Sequence, residues 1–237
     1  MKKGVICLGE ALIDWIPIDE RNLVYEKCPG GAPANVAVGL AKLGVESSFV
    51  GKVGKDLLGK FLRDTLKNGR VNVSSMMLSD EAKTGITFVT LDKSGERDFE
   101  FYIERSADQL LRENEIDETL FEKYSLLHVG SISLIREPAR SATIKAVKAA
   151  KASGLRVSFD PNVRMGLWPS EARAKEAIIG LLPEVDILKV SSEELSFITG
   201  QSGMEEGIEA LAPYKIPLIF VTLGAEGSRV FHSKTNV

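Results

Sequence analysis

Cysteine and histidine are scarce in this chain, with two of each among 237 residues. Cys7 lies in the apolar run Val5-Ile6-Cys7-Leu8, where a reduced thiol packs as a small hydrophobe. Neither a disulfide framework nor a Cys/His zinc site is expected. Neither sign of charge dominates: 30 Lys and Arg stand against 33 Asp and Glu, mixed along the chain. That excludes a basic nucleic-acid surface and a polyanionic tail. No apolar run reaches the length of a membrane span, and Met1-Lys2-Lys3 leads into a short strand pattern rather than a signal-peptide core. The expectation is a cytoplasmic protein with no membrane partner. Internal repeats, low-complexity tracts and Pro/Ser-rich linkers are missing too. A hydrophobic content of 44% supplies a core for one large domain or two small ones, and the remaining function class is small-molecule binding or chemistry.

Short apolar runs at 5–8, 48–53, 126–129, 157–160, 187–190 and 218–222 alternate with helical patterns at 34–43, 57–67, 139–152, 171–182, 193–199 and 204–211. This rhythm predicts an α/β fold, a mostly parallel central sheet flanked by helices. Residues 11–25 and 85–102 interrupt it. The second stretch has two strand-like runs around Asp92-Lys93-Ser94-Gly95 and reads as a β-hairpin. Together they predict a small antiparallel β lid, formed by about 11–25 and 85–105, over a ligand crevice.

The richest local signal is Gly30-Gly31-Ala32-Pro33-Ala34-Asn35, followed by Gly39, Gly44, Gly51, Gly54, Asp56 and Gly59. Paired glycines let a ligand approach the backbone, and proline is tolerated in a first helical turn because its missing N–H lies among the unpaired ones. Polar residues also follow each apolar run, at the strand ends where parallel sheets collect ligands. They are Gly9-Glu10 and Asp14, Asp160-Pro161-Asn162 with Arg164, Lys189 to Glu194, and Thr222-Leu223-Gly224 with Gly227. The first strand is followed by Gly9-Glu10-Ala11-Leu12-Ile13-Asp14, not Gly-x-Gly-x-x-Gly, which disfavours a nicotinamide dehydrogenase.

These stretches, with Gly51-Lys52-Val53-Gly54-Lys55-Asp56, Gly130-Ser131-Ile132-Ser133-Leu134 and Leu167-Trp168-Pro169, resemble the PfkB, or ribokinase-like, sugar kinases, and most of all the fructokinases. The resemblance covers essentially the whole chain. It implies a single ribokinase-like domain that transfers the ATP γ-phosphoryl group to a sugar hydroxyl. Mg²⁺ would neutralise the phosphates, a monovalent cation such as K⁺ could assist, and a homodimer could pair through the lid. Asp14, Gly30, Gly31, Asn35, Arg97, Tyr102, Arg105 and Arg164 are then candidates for the sugar site. Asn162, Lys189, Ser191, Glu194, Thr222, Gly224 and Gly227 are candidates for the nucleotide, with Glu194 acting on the metal through water.

Local physics offers other readings. Ser191 with Glu194 three residues on has capping-box spacing, which explains both without a ligand. Lys189 reads equally as a lysine snorkelling from a strand end, Asn162 as a turn residue, and Arg97, Tyr102 and Arg105 as parts of a solvated edge strand. His128, His232, Trp15 and Trp168 read as packing or edge residues.

Two departures from the resemblance matter. Fructokinases commonly carry Phe-Tyr-Arg where this chain has Phe101-Tyr102-Ile103, which leaves 2-keto-3-deoxygluconate and other keto sugars open as acceptors. The family's catalytic aspartate stands in a Gly-Ala-Gly-Asp turn, absent from these 237 residues. Leu223-Gly224-Ala225-Glu226-Gly227 belongs to the preceding nucleotide motif, so Glu226 is not taken as its substitute. The expectation is a fructokinase-type chain lacking a C-terminal segment, with no catalytic base assigned. The alternative is a non-catalytic remnant that binds sugar or nucleotide.

Overall fold

The computed structural model describes residues 2–19, 21–91 and 97–232. Its main sheet has eight strands in the order β12-β11-β10-β9-β8-β1-β4-β5. These are β1 (Val5–Leu8), β4 (Ser47–Gly54), β5 (Met76–Ser79), β8 (Leu126–Gly130), β9 (Arg156–Asp160), β10 (Ile187–Ser191), β11 (Leu218–Thr222) and β12 (Ser228–His232). All pairings are parallel except that of β12 with β11.

Alternating side chains on the central strands feed two cores. Cys7, Phe49 and Val53 pack with α1 (Ala32–Lys42) and α2 (Leu57–Asn68). Ile6, Leu8, Leu127, Val129, Val157, Phe159, Leu188 and Val190 face the other way. They meet α3 (Ala139–Ala152), α4 (Glu171–Leu181), α5 (Ser192–Thr199) and α6 (Met204–Leu211). The strands are buried on both faces near β1, which explains their uninterrupted apolar runs. Farther along, His128 and Ser158 share the α1-side face and are hydrogen-bonded at 3.1 Å. Burial, with Lys189 nearby, pushes the His128 pKa down to about 4. Among the described residues, no helix is long and apolar enough to cross a membrane.

A second sheet carries β2 (Leu12–Pro17), β3 (Tyr25–Gly30), β6 (Ile86–Leu91) and β7 (Arg97–Phe101), in the order β3-β2-β6-β7. This is the interrupting element, with two corrections. It is mixed rather than antiparallel, since its middle pair, β2 with β6, is parallel. That follows from connectivity: the chain returns to the main sheet after β3 and re-enters the lid in the direction of β2. The lid also runs on to Gly30, so Gly30 ends a strand and does not open the helix. The hairpin tip Asp92-Lys93-Ser94-Gly95 lies outside the described residues.

α1 begins with proline in its first turn, as the sequence implied. α2 is capped by Asp56, whose carboxylate accepts from Leu58 and Gly59 N–H. Lys52 is buried on β4, where its ammonium pairs with Glu115 at 2.6 Å and donates to the Leu110 carbonyl at 2.9 Å. This contact clips the segment after the lid back onto the main sheet.

Candidate functional site

Strand pairing places one row of side chains across the lid: Cys28, Asp14, Thr87 and Phe101 are successive partners on β3, β2, β6 and β7. Directly paired residues share a face. That face closes a cavity of about 120 Å³ against the carboxyl ends of β1, β8 and β9. From the lid come Leu12, Asp14, Thr87, Phe99 and Phe101. The body contributes Glu10, Gly31, Ala32, Asn35, Ile132, Asn162 and Arg164.

Gly30 is a steric requirement of Asp14. A Cβ at Gly30 would run into the Asp14 carboxylate and stand 2.9 Å from Leu12 Cδ1. Gly31 has φ +103° and packs on the Glu10 carbonyl, a conformation and an approach that L side chains do not tolerate. The start of α1 is thereby drawn under the cavity. One of its expected free N–H groups is already used, because Ala32 N–H donates to Glu10 Oε1 at 2.9 Å.

Arg164 is the cavity's cation. Its guanidinium lies 5.2 Å from the centre of the Phe99 ring, within cation–π range, and acts electrostatically on Glu10, Asp14 and Asp160. Burial still dominates for all three acids and raises their pKa values, that of Glu10 to about 7. Asn162 holds φ +43°, which turns the chain between Asp160 and Arg164.

A second group lies at the adjoining strand ends. Lys189 pairs with Asp160 at 3.2 Å. Ser191 Oγ accepts from Glu194 N–H at 3.1 Å, and Glu194 Oε2 accepts from Ser191 N–H at 2.9 Å, a complete capping box. Glu194 Oε1 accepts from Val163 N–H at 2.7 Å, so the same carboxylate ties α5 to the loop bearing Asn162 and Arg164. Thr222 pairs with Ser191 in register, and its hydroxyl donates to the Val190 carbonyl at 3.4 Å. Gly224 (φ +59°) and Gly227 (φ +95°) shape the next turn, with open space where each Cβ would stand.

Two sequence candidates do not join these groups, and the side chain of a third is not among those described. Tyr102 follows Phe101 and therefore points to the opposite lid face, where it meets Phe88 edge-on at 5.6 Å and is 69% exposed. Arg105 is exposed and acts electrostatically on Glu81, outside the cavity wall. Arg97 opens β7, but its side chain lies outside the described residues. Phe99, Phe101 and Thr87 are wall residues that received no role from the sequence, and Glu10 reads there only as a polar residue at a ligand-collecting strand end. The period-two pattern of β7 carried the signal for Phe99 and Phe101, and the end of β1 carried it for Glu10.

Among the described residues, no group of three or more His, Cys, Asp or Glu is placed to hold a metal ion. Both Glu194 oxygens already accept backbone N–H groups.

The model of the "pfkB family carbohydrate kinase" matches residues 2–237. A probable chloroplastic fructokinase-6 from Arabidopsis thaliana is 46% identical over 234 residues, covering 96% of this chain; the chain spans 61% of that relative's length. A fructokinase double mutant from Vibrio cholerae O395, crystallised in fructose, ADP and potassium ion bound form, superposes with a TM-score of 0.90. It is 39% identical, with 98% of this chain and 74% of the other covered. A fructokinase from Xylella fastidiosa with bound ATP gives a TM-score of 0.89 at 34% identity, covering 99% and 73%. Matched in sequence along its length and in fold throughout, this chain belongs to the pfkB family of carbohydrate kinases.

Proposed function

We propose that the chain is built for transfer of the ATP γ-phosphoryl group to a hydroxyl of fructose, giving fructose 6-phosphate. The observation that carries this reading is the cavity in which Asp14, Arg164, Asn35 and the Gly31 backbone converge beneath Phe99 and Phe101, with Gly30 packed against Asp14. A carboxylate and an amide suit a ligand rich in hydroxyls. Two phenyl rings suit its C–H faces and exclude water. Asp14 takes hydrogen bonds from the sugar, Asn35 donates and accepts beside it, and Arg164 balances the surrounding carboxylates while facing the transferring phosphoryl group.

The nucleotide side is read as Asn162, Lys189, Ser191, Glu194, Thr222, Gly224 and Gly227. Positive-φ glycines leave open space at the turn, and Lys189 supplies the cation. Mg²⁺ bound with ATP would neutralise phosphate charge, and Glu194 is the residue that would hold it, through water. The potassium in the Vibrio cholerae structure supports assistance by a monovalent cation such as K⁺. The lid, a subdomain of one ribokinase-like domain, closes over the sugar. Its opposite face, where Trp15, Tyr25 and Tyr102 each pack against Phe88, is read as the contact for a second copy. The free thiols Cys7 and Cys28 accord with a reducing cytoplasm.

The test is ADP release by the 237-residue chain with ATP and Mg²⁺, in separate incubations with fructose, glucose, ribose and 2-keto-3-deoxygluconate against sugar-free blanks. Fructose-dependent turnover lost in Asp14→Asn and Arg164→Met supports the reading. Preference for 2-keto-3-deoxygluconate would move the acceptor to the one allowed by Ile103. Fructose binding without turnover would assign a sugar-binding remnant, and neither binding nor turnover with any sugar refutes the reading.

A further inference from the structure

Glu10 is only 2% exposed, yet it borders the cavity at the point where the chain leaves β1 for the lid. Its Oε1 accepts the Ala32 N–H at 2.9 Å, where the chain has just returned from β3 and entered α1. One side chain therefore fastens the outgoing crossing, Gly9 to Ala11, to the returning crossing, Gly30 to Ala32. The backbone repeats the contact, because Gly31 packs on the Glu10 carbonyl with no space for a Cβ. Glu10 Oε2 is buried with no hydrogen-bond partner. A structural carboxylate needing only to cap a helix would not leave an oxygen in that state.

A second acid marks the other two crossings, the entry from β5 into β6 at Gly85 and the return from β7 to the body. Asp108 Oδ1 is likewise buried without a partner, and it stands 3.4 Å from where a Cβ on Gly85 would be, at the root of the lid. Asp108 and Glu10 repel each other electrostatically, and Arg164 is the cation that opposes this. Asp14 borders the same cavity from β2. Every covalent link between lid and body thus passes one of two buried acids.

We propose that Glu10 is a positioning residue for the sugar, locking the lid's first two crossings together at the head of α1 so that Asp14 and Gly30 to Asn35 stay in binding register. The proposal deepens the sugar-kinase reading and rests on it. Burial, acting against the N–H bonds of Glu10 and Ala32 and against Arg164, holds the Glu10 carboxyl up to about 7, with Asp108 adding to the rise. The lock is therefore neutral on the acid side of that value. Ionisation on the alkaline side places a charge beside the buried Asp108 carboxyl and loosens the root of the lid.

The experiment compares wild type, Glu10→Gln, Glu10→Ala and Asp14→Asn in fructose binding by calorimetry from about pH 5.5 to about pH 8.5. Amide hydrogen exchange is measured in parallel on the ligand-free proteins. Wild-type affinity falls as pH rises through the Glu10 titration, whereas Glu10→Gln, which keeps an acceptor for Ala32 N–H, shows a flat profile. At low pH Glu10→Ala binds roughly tenfold or more weakly than Glu10→Gln, as displacement of a positioning contact predicts. It also loses protection at Ala32 and along β2 and β3. The proposal is overturned if wild type and Glu10→Gln share one pH profile, or if Glu10→Ala keeps both affinity and protection. If no protein binds fructose, the sugar reading fails alone. Exchange at Ala32 then decides the lock, with loss in Glu10→Ala but not in Glu10→Gln upholding it and equal protection in both refuting it.

Discussion

Two glycines in the same segment predict opposite responses to one methyl group. Gly31 has φ +103°, and a Cβ there would strike the Glu10 carbonyl and approach Ala11 Cα to 3.0 Å. Both obstacles are backbone, so no rotamer relieves them. The strained dihedral alone costs about 1–3 kcal/mol, and the contact adds to it. Gly39 sits inside α1 with nothing within 4 Å of its would-be Cβ. There alanine removes backbone freedom from the unfolded chain and gains about 0.5–1 kcal/mol. For a chain of this length each kcal/mol moves the midpoint by about 2–4 °C. Gly31→Ala is expected to melt about 5–10 °C below wild type and Gly39→Ala about 1–4 °C above it, followed by far-ultraviolet circular dichroism and checked by urea titration. A Gly31→Ala midpoint equal to wild type, or a lowered one for Gly39→Ala, would refute the reasoning about this turn.

Two further outcomes can be measured on the same protein. Asp56 Oδ1 accepts from Leu58 N–H, Gly59 N–H and the Thr84 hydroxyl, while Oδ2 accepts from Thr84 N–H. Asp56→Asn should therefore lose about 1–2 kcal/mol at neutral pH in urea denaturation. Burial raises the Asp56 pKa, but the bonds from Thr84, Gly59 and Leu58 outweigh it and the net shift is downward. The carboxylate's contribution is thus complete above the ordinary value and disappears as pH falls through the folded one. The gap between wild type and variant should narrow toward about pH 3, and a constant gap would contradict the assignment. For the thiols, Cys7 is fully buried with its pKa pushed up to about 12, whereas Cys28 is half-buried in the lid. One thiol per native chain should react with a disulfide reagent and two after denaturation, and two fast native thiols would argue against the packing of β1.

The main sheet was legible because its central strands are buried on both faces. Apolar residues such as Val5-Ile6-Cys7-Leu8 then run without alternation and stand out against amphipathic helices. β5 escaped notice because Met76-Met77-Leu78-Ser79 has no β-branched residue and pairs along one edge only. β3 was obscured by Glu26, Lys27, Pro29 and Gly30, an edge-strand composition in which pairing comes from the partner rather than from propensity. Strand direction in the lid could not be read at all, since the pattern of β2 is the same whichever way β6 runs beside it. Tyr102 was misplaced by parity: moving one residue beyond Phe101 exchanges the cavity face for the opposite one.

The candidate site was legible as a set of strand ends and illegible as a set of contacts. Asp14 and Arg164 lie 150 positions apart in the sequence and become neighbours only because β9 stands two strands from β1 in the main sheet. The capping box at Ser191 and Glu194 shows how one residue serves two readings. Its geometry is complete, yet Glu194 still spends one oxygen on Val163 N–H and so fixes the loop that delivers Arg164 to the cavity. Glu10 does the same on the other wall, where a helix N–H bond joins two crossings of the lid. In both places an interaction that local sequence explains as capping acts over a long range. The site's rigidity therefore resides in acids whose partners are backbone groups 22 and 31 residues away.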